Sequence, residues 1–200
     1  MVNKLKIFNN FNIPNKFKKS IILIGNFDGL HSGHQKLFEL AKKYKTKYKS
    51  KIGVVTFDPI PKMFFNTKIK NYRISNFNQK VIYLKKFGVD FVINKKFDKN
   101  FSKISYYKFI KDILSKKLRS KFIFVSNNFR FGHKREGDVA LLKKHEKDFG
   151  YNLINPTPLI KNKEIISSTI IRKLLEEGKL LEANTFLKRN WEIEGKVQRG

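Results

Sequence analysis

Two histidines, His31 and His34, stand three residues apart directly after an apolar run. Ser32 and Gly33 lie between them, where a helical pattern begins, so both imidazoles should face the free backbone N–H groups of a first helical turn. Glycine lets a backbone approach a ligand closely. Backbone N–H groups and imidazoles at a helix N-terminus predict a cradle for an anionic, phosphate-bearing ligand.

The same pair of histidines also has two simpler interpretations. In the first, Asp28 helps to form a turn and the histidines cap a helix. The second is a zinc site, but the chain contains no cysteine, no matching second pair and no His-Glu-x-x-His helix pattern. Two imidazoles supply too few ligands for zinc, so phosphate binding and helix capping remain.

A second group of residues with the chemistry to bind phosphate lies near the end of the chain. Ser167, Ser168 and Thr169 offer hydroxyl groups at a predicted helix start, and Arg172 follows one turn later on the face of Ser168 and Thr169. The planar guanidinium presents paired donors that match phosphate oxygens, which lysine does not reproduce. The alternative is a helix cap beside a surface arginine.

Apolar runs alternate with helical patterns along most of the chain, which predicts an α/β fold with a Rossmann-like, doubly wound parallel sheet. Its ligands should bind beyond the carboxyl ends of the strands, near the switch point. The predicted strands are 21–27, 52–57, 91–93, 122–125 and 151–154. The predicted helices are 35–44, 75–87, 105–118, 138–149, 168–177 and 179–187, followed by a strand-like tail at 191–197.

The chain is strongly basic, with 44 Lys and Arg against 16 Asp and Glu and a net charge of +28. Such a charge suits a nucleic-acid-binding protein, which stays open as an alternative. The lysines are spread over nearly every segment, however, and form no single basic stripe. The absence of cysteine fits the cytoplasm, and neither an export signal nor a membrane-spanning segment is expected.

Residues 25–35, Gly-Asn-Phe-Asp-Gly-Leu-His-Ser-Gly-His-Gln, resemble the first motif of prokaryotic FAD synthetases, which are nucleotidylyltransferases with a His-x-Gly-His signature. Four further segments resemble the same family in the same order: 55–61, 73–74 with 87–92, 128–132 with 135–138, and 166–172. The chain departs from the family pattern at Ile60, where histidine is common, and at Ser126, which replaces a usual glycine.

The resemblance implies transfer of AMP from ATP to FMN, with His31, His34 and Arg172 as the catalytic residues and Mg²⁺ shielding the phosphates through ligands that stay open. The residues that it assigns to ATP are Gly25, Asn26, Phe27, Asp28, Gly29, Gly33, Ser167, Ser168, Thr169 and Arg172. Those that it assigns to the flavin are Pro59, Pro61, Phe65, Phe109, Asn128 and Phe131. For each phenylalanine, core packing is an equal alternative, since the chain has 20 of them.

The resemblance also predicts the domain organisation. Residues 1–188 correspond to the FMN adenylyltransferase domain, and 189–200 resemble a linker and the first strand of a riboflavin kinase domain. Because kinase chemistry then has no residues to use, a separate riboflavin kinase is a possible partner. The first motif alone does not select the acceptor, so another phosphorylated acceptor is the nearest alternative.

Overall fold

The first four residues of the first predicted strand, 21–24, form a strand in the middle of a six-stranded sheet, and all four are buried. The structure is a computed structural model that describes residues 5–69, 72–161, 164–195 and 197. The six strands of the sheet are β1 (Lys6–Phe8), β2 (Ile21–Ile24), β3 (Ile52–Asp58), β4 (Phe91–Lys96), β5 (Phe122–Phe124) and β6 (Asn152–Ile154).

All strands of this sheet run parallel, in the order β1-β4-β3-β2-β5-β6. The chain adds β3 and β4 on one side of β2 and then returns to add β5 and β6 on the other side. The switch point therefore lies between β2 and β5, where ligands bind in folds of this type. The predicted doubly wound α/β fold is confirmed.

Helices fill the connections between the strands. They are α1 (Ser32–Tyr48), α2 (Pro61–Phe65), α3 (Phe77–Lys86), α4 (Lys99–Ser102), α5 (Tyr106–Lys108), α6 (Val139–Lys144), α7 (Glu146–Phe149), α8 (Ser168–Glu176) and α9 (Leu180–Leu187). A π-helix, Phe109–Lys117, continues α5. A two-stranded antiparallel hairpin of β7 (Ile160–Lys161) and β8 (Glu164–Ile165) precedes α8.

Four local features of the structure differ from the predictions or were not predicted. The edge strand β1 and the hairpin were not predicted. The predicted helix 138–149 is divided at His145 into α6 and α7, because the Tyr151 hydroxyl donates to the Leu142 carbonyl at 2.5 Å and competes for an acceptor of the helix. The predicted strand-like tail is wrong for residues 191–195, which form no strand and lie against α3.

Apolar side chains cover both faces of the sheet and form two large cores. The first contains Ile22, Ile24, Phe91, Ile110 and Leu114, and the second contains Ile21, Leu23, Phe38, Val54 and Leu84. A third, smaller cluster joins α8 and α9 to the loop before α3, through Ile74, Ile171, Leu174, Ala183 and Leu187. This third cluster places α8 beside the loop that follows β2.

Within the described ranges, no helix combines the length and the apolar character needed to cross a bilayer.

Candidate active site

A cavity of about 820 Å³ opens at the carboxyl ends of the parallel strands. Its walls come from the loops after β2, β3, β5 and β6 and from the first turn of α8. Elements that are more than 100 residues apart in the sequence therefore meet at the predicted switch point. A cavity of this size is large enough for a nucleotide or a cofactor.

The cavity brings together almost all of the residues singled out from the sequence. Its walls include His31, His34 and Arg172, together with Gly25, Asn26, Phe27, Asp28, Gly33, Ser167, Ser168 and Thr169. They also include Pro61, Phe65, Phe109, Asn128 and Phe131. Two residues of the prediction, Gly29 and Pro59, do not line it. A Cβ on Gly29 would lie 2.9 Å from Ile74 Cγ2, so tight packing explains this glycine.

The loop after β2 has an unusual backbone. Phe27, Gly29 and Leu30 all have positive φ angles, of 46°, 75° and 43°, and such strain in non-glycine residues is typical of functional sites. His31 then occupies the N-cap position of α1, where no side chain caps the first turn. The side chains of Asn76 and Ser167 do cap α3 and α8. The α1 amides therefore stay available to an anion.

The two imidazoles are stacked, with ring centroids 3.7 Å apart and an angle of 24° between the ring planes. Burial, assisted by the charge of the Arg172 guanidinium, lowers the pKa of His31 to about 4. Burial also holds the pKa of His34 well below its usual value, assisted by His31 and Lys80. Both rings are therefore neutral at pH 7, and each carries one N–H donor.

Both histidines carry a buried Nδ1 atom that has no hydrogen-bond partner among the described residues. The Oδ1 atom of Asn26 is buried and unpartnered in the same way. Buried polar groups in folded proteins are nearly always paired, and unpaired ones require an explanation. Because all three residues line the cavity, a polar ligand in the cavity is the simplest explanation.

Arg172 is held against the loop after β2. Its Nη2 donates to the Asp28 carboxylate at 2.6 Å, its Nε donates to the Tyr72 carbonyl at 2.8 Å, and its guanidinium lies 3.8 Å from the Tyr72 ring centroid. The structure thus differs from the simple expectation of a free guanidinium fork. None of the described residues accepts a hydrogen bond from Nη1, which leaves that nitrogen for a ligand.

Asp28 has a structural position that the sequence did not reveal. Its carboxylate is 2% exposed and accepts hydrogen bonds from the Ile74 and Ser75 amides as well as from Arg172. The Ser168 hydroxyl donates to the Asp28 carbonyl at 2.9 Å. Asp28 therefore joins the histidine loop, the start of α3 and α8 into one unit, and no local spacing signals those partners.

Lys80 is a buried cation that sequence reasoning missed. It is 5% exposed, and its Nζ lies 3.5 Å from the Thr56 hydroxyl. Burial lowers the pKa of Lys80 to about 8, which Asp28 partly opposes. Its charge lowers the pKa of His34. The sequence does contain one indication that Lys80 is buried. It lies four residues before Leu84, so both side chains share the buried face of α3.

The other end of the cavity is aromatic. Phe109 and Phe131, with ring centroids 5.4 Å apart, belong to the core and also line the cavity, so the two alternatives for these residues are compatible. Phe65 is 70% exposed at the wall of the cavity. The Ser126 hydroxyl donates to Asn128 Oδ1 at 2.9 Å. Because the side-chain oxygen of Asn128 already accepts this hydrogen bond, its NH₂ group is the part that stays free for a ligand.

The protein groups do not build a metal site by themselves. Within the described ranges, no group of three or more His, Cys, Asp or Glu residues could hold a metal ion. Asp28 is the one acidic side chain among the described residues that line the cavity, and its oxygens already have donors. Mg²⁺ commonly binds through substrate phosphates and few protein carboxylates, so a metal ion here would need further ligands from a bound molecule.

Lowering the pH from 7 to 4 is expected to destabilise the fold through the buried histidines. In the unfolded chain His31 titrates near 6.5 and in the folded chain at about 4, so the unfolded state binds more protons between these values. The stability that depends on neutral His31 is fully present above pH 6.5 and is lost as the pH falls towards 4. The free energy of unfolding should therefore decrease by up to about 3 kcal/mol. Urea unfolding at several pH values measures it.

A His31→Gln variant is expected to show a weaker dependence of the free energy of unfolding on pH than the wild type. The exposed His133 provides the matched control, because His133→Gln should leave the slope unchanged. Equal slopes for the wild type and His31→Gln between pH 6.5 and 4.5 would refute the buried neutral state of His31.

The fold and the cavity define a doubly wound α/β protein whose switch-point cavity carries two histidines, an uncapped helix N-terminus and an arginine, with an aromatic slot beside them. The family model described as FAD synthetase matches residues 13–170. This chain belongs to the FAD synthetase family.

Relatives from several bacteria support this membership. The chain is 41% identical to a bifunctional riboflavin kinase/FMN adenylyltransferase of Buchnera aphidicola subsp. Acyrthosiphon pisum, over 94% of this chain and 60% of that protein. It is 35% identical to the protein of the same name from Escherichia coli K12, over 90% and 58%. It is 31% identical to a FAD synthetase of Listeria monocytogenes, over 94% and 76%.

A solved structure has a similar fold. It is described as a macrolide-efflux protein from Streptococcus pneumoniae and matches with a TM-score of 0.82 and 26% identity, over 94% of this chain and 72% of that one. The present chain spans about 60% of the length of the bifunctional relatives that it matches.

Proposed function

We propose that this chain transfers the AMP part of ATP to the phosphate of FMN, giving FAD and pyrophosphate. The observation that carries the proposal is the cavity in which two neutral imidazoles with unpartnered Nδ1 atoms, an uncapped helix N-terminus and Arg172 lie beside an aromatic slot. Phosphate-binding donors next to an apolar slot suit a reaction that joins a nucleotide to a flavin phosphate.

In this reaction an oxygen of the FMN phosphate attacks the α-phosphorus of ATP. The bond from the α-phosphorus to the oxygen that bridges to the β-phosphorus breaks, and pyrophosphate leaves with that oxygen. A phosphate monoester has its second pKa near 6, so the nucleophile is already mostly ionised at pH 7. The protein needs no general base, which agrees with the low pKa values of His31 and His34.

The protein then contributes alignment and stabilisation of charge on the phosphates. We assign to His31 and His34 the donation of N–H groups to phosphate oxygens, and to Arg172 a contact through its free Nη1. The assigned ATP contacts are those of the cavity wall: Gly25, Asn26, Phe27, Asp28, Gly33, Ser167, Ser168 and Thr169. Neutral donors in a water-poor site are effective because they need no reorganisation as charge develops.

The aromatic end of the cavity is assigned to the isoalloxazine ring. Pro61, Phe65, Phe109 and Phe131 offer apolar surface there, and Asn128 offers a free NH₂ to a ring carbonyl or nitrogen. Gly29 and Pro59, which the resemblance assigned to ATP and to the flavin, do not line the cavity and are given no direct contact with a substrate in this assignment. Mg²⁺ is assigned to the substrate, as the complex of the ion with ATP.

The source of FMN follows from the same assignment. The relatives whose names include riboflavin kinase are longer than this chain, and we propose that riboflavin kinase activity outside residues 1–188 supplies FMN. We assign residues 189–200, as predicted, to the linker and the first strand of a riboflavin kinase domain. We place the reaction in the cytoplasm, because ATP and FMN are charged compounds that remain inside cells.

The test is an assay of the purified chain with ATP labelled on the α-phosphate, Mg²⁺ and FMN. The expected products are labelled FAD and one pyrophosphate for each FAD. Pantetheine phosphate and nicotinate mononucleotide serve as matched acceptors that should give no labelled product. Labelled product from either of these and none from FMN would overturn the assignment of the acceptor.

A further inference from the structure

The segment after α9 is fixed against α3 by several side chains. We call residues 189–194 the tail segment. Gln79 Nε2 donates to the Glu192 carbonyl at 3.1 Å, and the Tyr83 hydroxyl donates to the Glu192 carboxylate at 3.3 Å. Asn76 Nδ2 donates to the Glu194 carboxylate at 2.6 Å. These contacts hold a segment without regular secondary structure in one place.

Trp191 connects the tail segment to the loop before α3. Its backbone amide donates to Asn184 Oδ1 at 2.7 Å, and its indole Nε1 donates to the Ile74 carbonyl at 2.8 Å. The Ile74 amide in turn donates to the Asp28 carboxylate at 3.1 Å, which also accepts from Arg172 Nη2 at 2.6 Å. Three successive hydrogen bonds therefore lead from the tail segment to the guanidinium in the cavity wall.

Packing around Ile74 leaves little room for independent movement. Ile74 is 3% exposed and belongs to the cluster that contains Ile171 of α8 and Leu187 of α9. Gly29 packs so closely on the Ile74 side chain that a Cβ there would come within 2.9 Å of it. A shift of Ile74 is therefore transmitted both to the histidine loop and to the helix that carries Arg172, because close-packed interiors transmit strain.

We propose that Trp191 is a positioning residue for ATP, which fixes Ile74 and through it the Asp28 carboxylate and the Arg172 guanidinium. The proposal rests on the proposed function and assigns to the tail segment a role in the adenylyltransferase site. The flavin end of the cavity is not part of this chain of hydrogen bonds, so the effect should concern ATP and not FMN.

Trp191→Phe removes the indole N–H and keeps an aromatic ring on the cluster. Because one hydrogen bond contributes about 0.5–1.5 kcal/mol, the KM for ATP and the Kd of ATP without FMN should rise by about 2- to 12-fold. The KM for FMN should stay within about twofold, and the Tm should fall by only a few degrees.

Tyr83→Phe is the matched control, since it removes a hydrogen bond between α3 and the same tail segment without touching Ile74. Its affinity for ATP should equal that of the wild type. An equal ATP affinity for Trp191→Phe and Tyr83→Phe overturns the proposal. So does an equal rise of the KM values for ATP and FMN, which indicates general loosening of the fold.

Trp191 is the single tryptophan of the chain, which permits a second measurement on the unmutated residue. Protein labelled with 5-fluorotryptophan should give one ¹⁹F resonance, and saturating ATP should shift it in the wild type but not in Arg172→Lys. No shift in the wild type at saturation overturns the proposal. ATP binding without any FAD formation would instead contradict the proposed function and leave the role of Trp191 testable.

Discussion

His34→Ala is expected to lower the turnover of FMN to FAD by about 10²- to 10³-fold, the usual cost of removing one donor aimed at a developing negative charge. His34 is neutral, stacked on His31 at 3.7 Å, and it lies in the cavity wall at the first turn of α1. A water molecule in place of the imidazole would have to reorient as charge develops, whereas the His34 N–H group is already fixed in position. Steady-state rates with saturating ATP and FMN measure the loss.

The matched control is His133→Ala, because His133 is exposed and does not line the cavity. This variant should keep the wild-type rate. Calorimetry of ATP binding to His34→Ala should show an affinity within about tenfold of the wild type, which locates the loss in the chemical step. A turnover of His34→Ala within threefold of the wild type would exclude the assigned role.

Asp28→Ala is expected to reduce the free energy of unfolding by about 3–5 kcal/mol, since it leaves a largely buried guanidinium without its partner. The Arg172 side chain is 14% exposed, and Asp28 is 2% exposed. The substitution also removes the acceptor of the Ile74 and Ser75 amides. Urea unfolding at pH 7 measures the effect.

The chain contains a second Asp–Arg pair that serves as the control. Asp58 pairs with Arg73, but these side chains are 45% and 31% exposed. Because exposed ion pairs contribute little, Asp58→Ala should cost less than about 1 kcal/mol. In an Arg172→Met background, Asp28→Ala should cost about 1–3 kcal/mol less than in the wild type. Additive effects of the two substitutions would show that Asp28 and Arg172 are not coupled.

The positive charge of one buried lysine has a different effect on the site from the net positive charge of the whole chain. Lys80 is buried and its charge helps to keep His34 neutral, whereas most lysines are distributed over the surface. A net charge of +28 predicts attraction of anions in general. In the proposed function, phosphate is bound by neutral N–H donors and by Arg172, whose guanidinium is already partly paired. Arg130, Arg135 and three lysines, Lys36, Lys62 and Lys134, also line the cavity.

The sequence was informative about the site because the residues assigned to phosphate binding lie close together in the chain. A run of buried residues, two histidines with a glycine between them and a helix start fit within 14 residues, 21–34. Strand and helix periodicity then fixed the parallel sheet, and with it the edge at which the loops meet. Positions that depend on such short-range spacing can be predicted without a structure.

The resemblance of the chain to FAD synthetases had a different basis, because it depended on motifs spread from residue 25 to residue 172. The match of the family over residues 13–170 confirms it. Periodicity alone predicted neither the edge strand β1, which is three residues long, nor the division of α6 and α7 at His145. Short elements depend on neighbours that are distant in sequence and have weak local signals.

By itself, the sequence determined the doubly wound fold, the histidine pair at a helix start and the serines and arginine of a second helix start, because each follows from local periodicity and spacing. Only the tertiary structure decided that Asp28 accepts a hydrogen bond from Arg172 Nη2, that Lys80 is buried and that the Trp191 indole donates to the Ile74 carbonyl. The two hydrogen bonds join residues that lie 144 and 117 positions apart, and the burial of Lys80 depends on its neighbours in the fold, so these features arise only when the chain packs.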